Sequence, residues 1–369
     1  MTGLREFDTS TPDPEERQFP PGTVNGKLLE AVLRHRHYLL RVENGVIKNL
    51  LGAFREAQVE ILGQIARIAA AEDALTDFGL LRLARLREME SRIQSALQGA
   101  LGETLRRSSE DFLDVAMREV EIQNAFLRKH IPDGISLDLI GPDADRLAGI
   151  INQPLGGIRW GDRMRRNYGE MALEMRRSLG ASVTLGEGIG PAVTRLRNVA
   201  GKLGTQRLRL IARSEIQRVA NDTAIETYQR NGDVLKGIQI FETLDDRACL
   251  ICAAQDGKVL PINTPRSSLP PFHAGCRGYS APIVRSFEEM GLDPLTFPPS
   301  TRASMDGQVA ASVDYEQWFG AQSEGFQRRI LGPSRFQLFQ SGELKVTEFA
   351  RDNRILRIGD LPTMSLSMN

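Results

Sequence analysis

All three cysteines of the chain lie in "CLICAAQDGKVLPINTPRSSLPPFHAGC", between Cys249 and Cys276, together with one of its four histidines. The order is Cys249-x2-Cys252, twenty residues, then His273-x2-Cys276. Each short pair lets two donors face one point from a tight turn. Three thiolates and an imidazole suit a tetrahedral zinc ion, and a full set of four leaves no open position for chemistry. The spacing therefore predicts a structural zinc site with no catalytic residue. The intervening loop holds Pro261, Pro265, Pro270 and Pro271 and has little core of its own. A metal would give such a loop a fixed closure.

Other uses of these residues fit less well. Redox work of the thioredoxin kind needs a CxxC at a helix start in a βαβ setting. A zinc deaminase needs His-x-Glu before its cysteines, whereas Ala274 and Gly275 follow His273 here. A Cys249–Cys252 disulfide would leave Cys276 odd. A zinc-dependent nuclease or hydrolase would need a general base beside an incompletely ligated metal. Asp245, Asp246 and Asp256 are near in sequence, but acidic turn residues usually cap and solvate loops.

The elements that must position this cluster follow from periodicity. "TQRLRLIARSEIQRVANDTAIETYQRNG" (205–232) predicts a helix with Thr205 as N-cap and Gly232 just past its end. Leu208, Ala212, Glu215 and Val219 share one stripe of it, so Glu215 needs a partner inside an apolar face. "GIQIFETL" (237–244) alternates as a strand, and "GKVLPI" (257–262) reads as a second, with "AQDG" as turn chemistry.

Upstream, residues 27–127 carry apolar residues three and four apart, as in the stripe Leu28, Val32, Leu39, Val42 and Val46. Three helices are expected there, the second through "GLLRLARLREMESRIQSALQGAL" and the third through "SEDFLDVAMREVEIQNAFLRKH". "RWGDRMRRNYGEMALEMRRSLG" (159–180) is a further helix holding Arg159, Arg163, Arg165, Arg166, Arg176 and Arg177. Such a patch suits DNA phosphates, although Asp162, Glu170 and Glu174 are interleaved, as on a solvated face. "LGEGIGP" (185–191) lacks the Lys-Ser/Thr of a phosphate loop and reads as a turn. Near the end, Tyr315, Trp318, Phe319, Phe326, Ile330 and Leu331 recur at helical spacing, as in a packed amphipathic helix. "ILGPSR" then predicts a stop and a restart at Pro333.

The expected fold is mainly α with a small α+β module. It divides into a flexible arm (1–22), an elongated helical N-terminal region (23–131), a helical connector (132–204), a core of helix, β-hairpin and Cys/His clip (205–298), and a linker with a short helical tail (299–369). Basic and acidic residues balance at 47 each, which gives no global field toward nucleic acid or membrane. The opening residues lack the apolar run of a signal peptide, and no apolar stretch reaches the length of a membrane span. Sparse cysteine fits a reducing compartment such as a cytoplasm.

Three segments together carry a resemblance. Arg213, Ser214, Glu215 and Asn221 match an Arg-Thr/Ser-Glu helix with a downstream Asn. Thr243, Asp245, Asp246, Cys249 and Cys252 match Thr-x-Asp-Asp-x-x-Cys-x-x-Cys. Pro270, Pro271, His273, Cys276 and Arg277 match Pro-Pro-x-His-x-x-Cys-Arg. The chain thus resembles the head morphogenesis family of tailed bacteriophages, the F-type minor head proteins. The similarity runs weakly upstream through "INQPLGGIRWGDRM" and downstream over 314–361. Gly278 stands where many relatives have a second Cys. The resemblance implies a minor, non-enzymatic head component acting at the capsid interior near the portal, made in the host cytoplasm. Its implied partners are portal and major capsid or scaffold proteins and packaged DNA, with no membrane and no small-molecule substrate. Within the module, the clip is expected to close onto the 205–232 helix, with Glu215 paired to Arg277 or Arg247.

Overall fold

The computed structural model describes residues 24–70, 80–130, 139–185, 194–198, 205–285 and 301–361. The arm (1–22), "IPDG" and most of "LGEGIGP" lie outside them. Helices dominate: α1 (Val24–Ala70), α2 (Leu80–His130), α3 (Ala144–Ile151), α4 (Trp160–Thr184) and α5 (Thr205–Arg230). Then come β1 (Leu235–Phe241), the short α6 (Leu250–Ala253), β2 (Val259–Pro261) and β3 (Tyr279–Val284). The last part comprises β4 (Thr301–Ser304), β5 (Gly307–Ala310), α7 (Tyr315–Gly320), α8 (Glu324–Gln340), β6 (Ala350–Arg351) and β7 (Arg354–Ile355). The fold is mainly α with a small α+β module, as the sequence predicts. No helix among the described residues is long and apolar enough to cross a membrane.

The apolar stripe of α1 is real: Leu28, Val32, Leu39 and Val46 are buried and Val42 is half-buried. Where two helices were expected over 80–130, the structure has one. Ser108 and Ser109 do not break it, because their hydroxyls donate to the carbonyls of Thr104 (2.7 Å) and Leu105 (2.9 Å), one turn back. Thr104 itself is buried and bonds the Tyr168 hydroxyl at 2.9 Å.

Contacts divide the chain into two compact units. One comprises Leu39–Met117 and Asp145–Val219. Within it Phe112 meets Trp160 edge-on at 5.2 Å and Phe54 meets Tyr168 at 6.2 Å. Arg218 is buried there and donates to the last carbonyls of α3, Ile150 O and Ile151 O, both at 2.7 Å.

The other unit takes the described residues of Met1–Tyr38, Arg118–Ala144 and Ala220–Asn369. Its main sheet has the order β2-β1-β3, antiparallel throughout, with Gly237 opposite Pro261 and Ile238 opposite Pro282. The expected hairpin of β1 and β2 is present, and β3 extends it to three strands. Pro282 hides the third strand from a sequence reading, yet an edge strand can carry proline with its nitrogen turned away from the ladder. One face of β1 buries Ile238 and Ile240 with Leu28, Ala224, Ile225 and Tyr228. Phe241 packs with Val32, Tyr279 and Ile283. Tyr228 also donates to Gln123 (2.7 Å), whose amide donates to Glu119 (2.6 Å), and Glu119 pairs with His35 (2.6 Å). A continuous buried polar chain therefore replaces apolar packing at this place.

The aromatic tail is packed, as its spacing implies. Tyr315, Trp318, Phe319, Phe326 and Leu331 form one core with Val346 and Phe349. Leu244, Ala248, Leu250 and Ala253, from the stretch around the first cysteine pair, lie in the same core. Asp314 and Gln317 cap α7 reciprocally. α8 breaks at Gly332, whose φ of 71° favours glycine, immediately before Pro333.

Candidate metal centre

Thr243–Asp245 leaves β1, and Asp245 turns the chain into α6 by accepting the backbone N–H groups of Arg247 (2.8 Å) and Ala248 (3.2 Å). Cys249 precedes α6 and Cys252 lies within it, one turn on. Asp256 and Gly257 then start β2; Gly257, at φ 79°, donates its N–H to Ile240 O at 2.9 Å. The proline-rich segment brings His273 and Cys276 back, just ahead of β3.

Cys249, Cys252 and His273 converge, and Cys276 joins them through Cys252. His273 Nε2 lies 3.1 Å from Cys249 Sγ and 3.2 Å from Cys252 Sγ, and Cys252 Sγ lies 3.5 Å from Cys276 Sγ. Cys252 and Cys276 are buried, while Cys249 and His273 are half-buried. His273 Nδ1 lies 2.9 Å from Ala274 O. A carbonyl only accepts, so Nδ1 carries a proton, and Nε2 is the ring atom that faces the sulfurs and that a metal would take. The cluster can hold a metal ion.

The electrostatics match that donor set. The Cys252 hydrogen bond, opposed by burial and aided by His273, lowers the Cys249 thiol to about 4. The bond to Cys249 raises His273 to about 9. Cys252 shifts upward through its bonds to Cys249 and Cys276, and Cys276 downward through its bond to Cys252. The groups thus hold thiolate character together with a cation near neutral pH.

The loop is also fixed by protein groups. Arg277 makes a two-pronged pair with Asp245, closing the two ends of the clip on each other. Asn221 on α5 donates to Gly278 O at 3.3 Å, so this motif residue holds the exit of the clip. Two further α5 residues went unread in the sequence: Asp222, paired with Arg266, and Gln229, which donates to Ile262 O (3.1 Å) and Thr264 O (3.2 Å). Asp246 is exposed at the turn.

Asp256 is buried and takes four donors: Glu242 N–H (2.7 Å), Tyr315 N–H (2.6 Å) and the two Nη atoms of Arg302 (3.0 and 3.2 Å). Arg302, on β4, also donates to Val313 O at 2.9 Å and to Glu242 O, with its guanidinium 5.1 Å from the Phe241 ring centroid. Nothing local in "TRAS" signals this role.

Glu215 finds the partner its burial demands, but a different one from that expected. Its Oε1 accepts from Arg163 Nη1 (2.8 Å) and its Oε2 from Arg218 Nε (2.7 Å). Arg213 pairs with Glu43. Of the six arginines over 159–180, Arg163 is thus turned inward; Arg165 pairs with Asp162 (2.8 Å), Arg176 with Glu90 (3.2 Å) and Arg177 with Glu174 (2.8 Å). Arg159 and Arg166 are exposed.

No curated protein and no solved structure matches the chain. Residues 173–280, which carry α5, β1, β2 and the whole clip, match the family described as Phage Mu protein F like protein. That segment is therefore similar to the phage Mu F-like head morphogenesis family.

Proposed function

We propose that the protein is a minor structural component of a tailed-phage, prophage or gene-transfer-particle head. In this reading it sits in the virion at the capsid interior near the portal, and assists procapsid assembly or DNA packaging and delivery. It is made in the host cytoplasm and performs no catalysis. The family match over 173–280, on the segment that carries every motif residue, is the observation behind this reading. Portal protein and major capsid or scaffold proteins are the proposed partners.

Cys249, Cys252, His273 and Cys276 act in this reading as a structural zinc clip. Zinc, when bound, supplies a fixed closure point for the loop. The chain's own residues do the rest: Asp245 and Arg277 join the loop ends, and Asn221, Asp222 and Gln229 dock the loop on α5.

The test is affinity purification of the tagged full chain from cells assembling particles, read by mass spectrometry. Co-purification of portal and capsid proteins is expected. Recovery of neither, with hydrolytic activity in the pure protein, would replace the structural reading with an enzymatic one. Packaged DNA is a further proposed partner through the exposed side of α4, at Arg159, Arg165, Arg166, Arg176 and Arg177. A salt-sensitive gel shift is expected from that surface, and no shift at low salt removes it.

A further inference from the structure

Cys/His spacing leaves out one donor that the fold supplies. Glu242 follows β1 directly and is 2 % exposed. Its carboxylate groups with the sulfurs of Cys252 and Cys276, the donor atoms all lying within 4.8 Å of one another. Cys249, Cys252 and His273 form a second such triad, so the two share Cys252.

The carboxylate is held in place from several sides. Oε1 accepts the Thr243 N–H at 2.8 Å. The backbone N–H of Glu242 is bound by Asp256 and its carbonyl by Arg302. Oε2 has no hydrogen-bond partner, though buried. It points to the thiol side of the clip: a Cβ placed on Gly278 would lie 3.4 Å from it and 3.6 Å from Cys276 Sγ. A buried carboxylate oxygen without a partner is costly, and fixed backbone on both sides keeps it from swinging out to water. A cation among the thiolates would satisfy it.

We propose that Glu242 is a fifth donor of the clip, a carboxylate ligand that with Cys252 and Cys276 holds a divalent, thiophilic cation when the outer donors are lost. The inference rests on reading the cluster as a metal clip. Two thiolates with one carboxylate suit zinc, which accepts sulfur and oxygen together; copper(I), softer, disfavours the carboxylate. The inner triad is buried throughout, whereas Cys249 and His273 face partly outward. Five donors for a four-coordinate ion make His273 dispensable for retention.

The experiment compares the full-length protein with His273→Ala, Glu242→Gln and the double variant. Each is stripped with a chelator, reloaded with zinc, and assayed for metal content by mass spectrometry and for ligand type by X-ray absorption. The expected results are one zinc in the parent, one retained in His273→Ala with an oxygen in its first shell, and loss from the double variant. Equal retention by His273→Ala and the double variant overturns the role of Glu242 and leaves the clip standing, as does loss from His273→Ala alone. A parent that takes no zinc overturns both. Far-ultraviolet dichroism monitors the fold. If the double variant fails to fold, His273→Ala alone decides: zinc retained with a carboxylate oxygen beside the sulfurs supports the proposal, and zinc lost or held without a carboxylate refutes it.

Discussion

Replacing Arg302 by methionine should be among the most damaging single changes outside the clip itself. Methionine fills much of the same volume, so the cost is electrostatic rather than a cavity. Arg302 and Asp256 side chains are 2 % and 0 % exposed. Without the guanidinium, Asp256 keeps a buried charge with only the N–H groups of Glu242 and Tyr315, and Val313 O and Glu242 O each lose a donor. Exposed ion pairs contribute about 0–1 kcal/mol, but removing one partner of a buried pair costs about 3–5 kcal/mol. The larger figure applies here. Asp256→Asn should cost a similar amount, because an amide cannot accept from four donors.

Trp318 reports on this core directly, being buried within it and bonded to Asp306 at 3.2 Å. The chain has two tryptophans, so a Trp160→Phe background isolates its fluorescence in urea titrations. Arg302→Met should lower the stability of that transition by about 3–5 kcal/mol. The double variant should cost at least ~2 kcal/mol less than the sum of the singles, since each single leaves the other partner stranded. A loss under about 1 kcal/mol for Arg302→Met, or additive singles, would refute the claim that the pair is a buried unit.

Glu215→Ala should destabilise by about 3–5 kcal/mol, because it leaves Arg218 buried without its carboxylate; an unchanged thermal midpoint would contradict that. Asp245→Asn should cost about 2 kcal/mol at pH 7 from lost charged hydrogen bonds. Burial opposes, but the Arg277 bonds prevail and hold Asp245 below its ordinary value of 3.8. Its contribution is therefore present above that pH and lost as pH falls through the folded value. The gap between variant and parent should close below about pH 4 in acid denaturation, and a gap that persists there would assign the effect to shape instead of charge.

The sequence disclosed what is local. CxxC and HxxC spacing is set within single turns, and it brings Cys249, Cys252 and His273 together with Cys276 beside Cys252. The apolar stripe of α5 showed that Glu215 needs a partner. Arg218, three residues on, was readable from helix geometry; Arg163, 52 positions away, was not. Long-range pairings hid the rest. β3 was masked by Pro282, and Arg302 meets Asp256 only because β4 returns to the start of β2. Glu242 sat inside a stretch read as an alternating strand, where nothing marked it as a donor to the clip. Its inward direction is fixed by Asp256 and Arg302, neither of them adjacent in sequence.

These tethers decide what a metal can contribute. A loop held by zinc alone would come apart on chelation, since closing it costs entropy that only the ion repays. Here Asp245–Arg277, Asn221–Gly278, Asp222–Arg266 and the two Gln229 bonds restrain the same loop without any ion. Each contributes roughly 1 kcal/mol, more where charged, so together they offset a closure cost that grows only logarithmically with loop length. Leu250 and Ala253 also anchor the first cysteine turn in the aromatic core. The module's fold is therefore expected to outlast removal of any metal, since these restraints hold the loop through the chain's own residues.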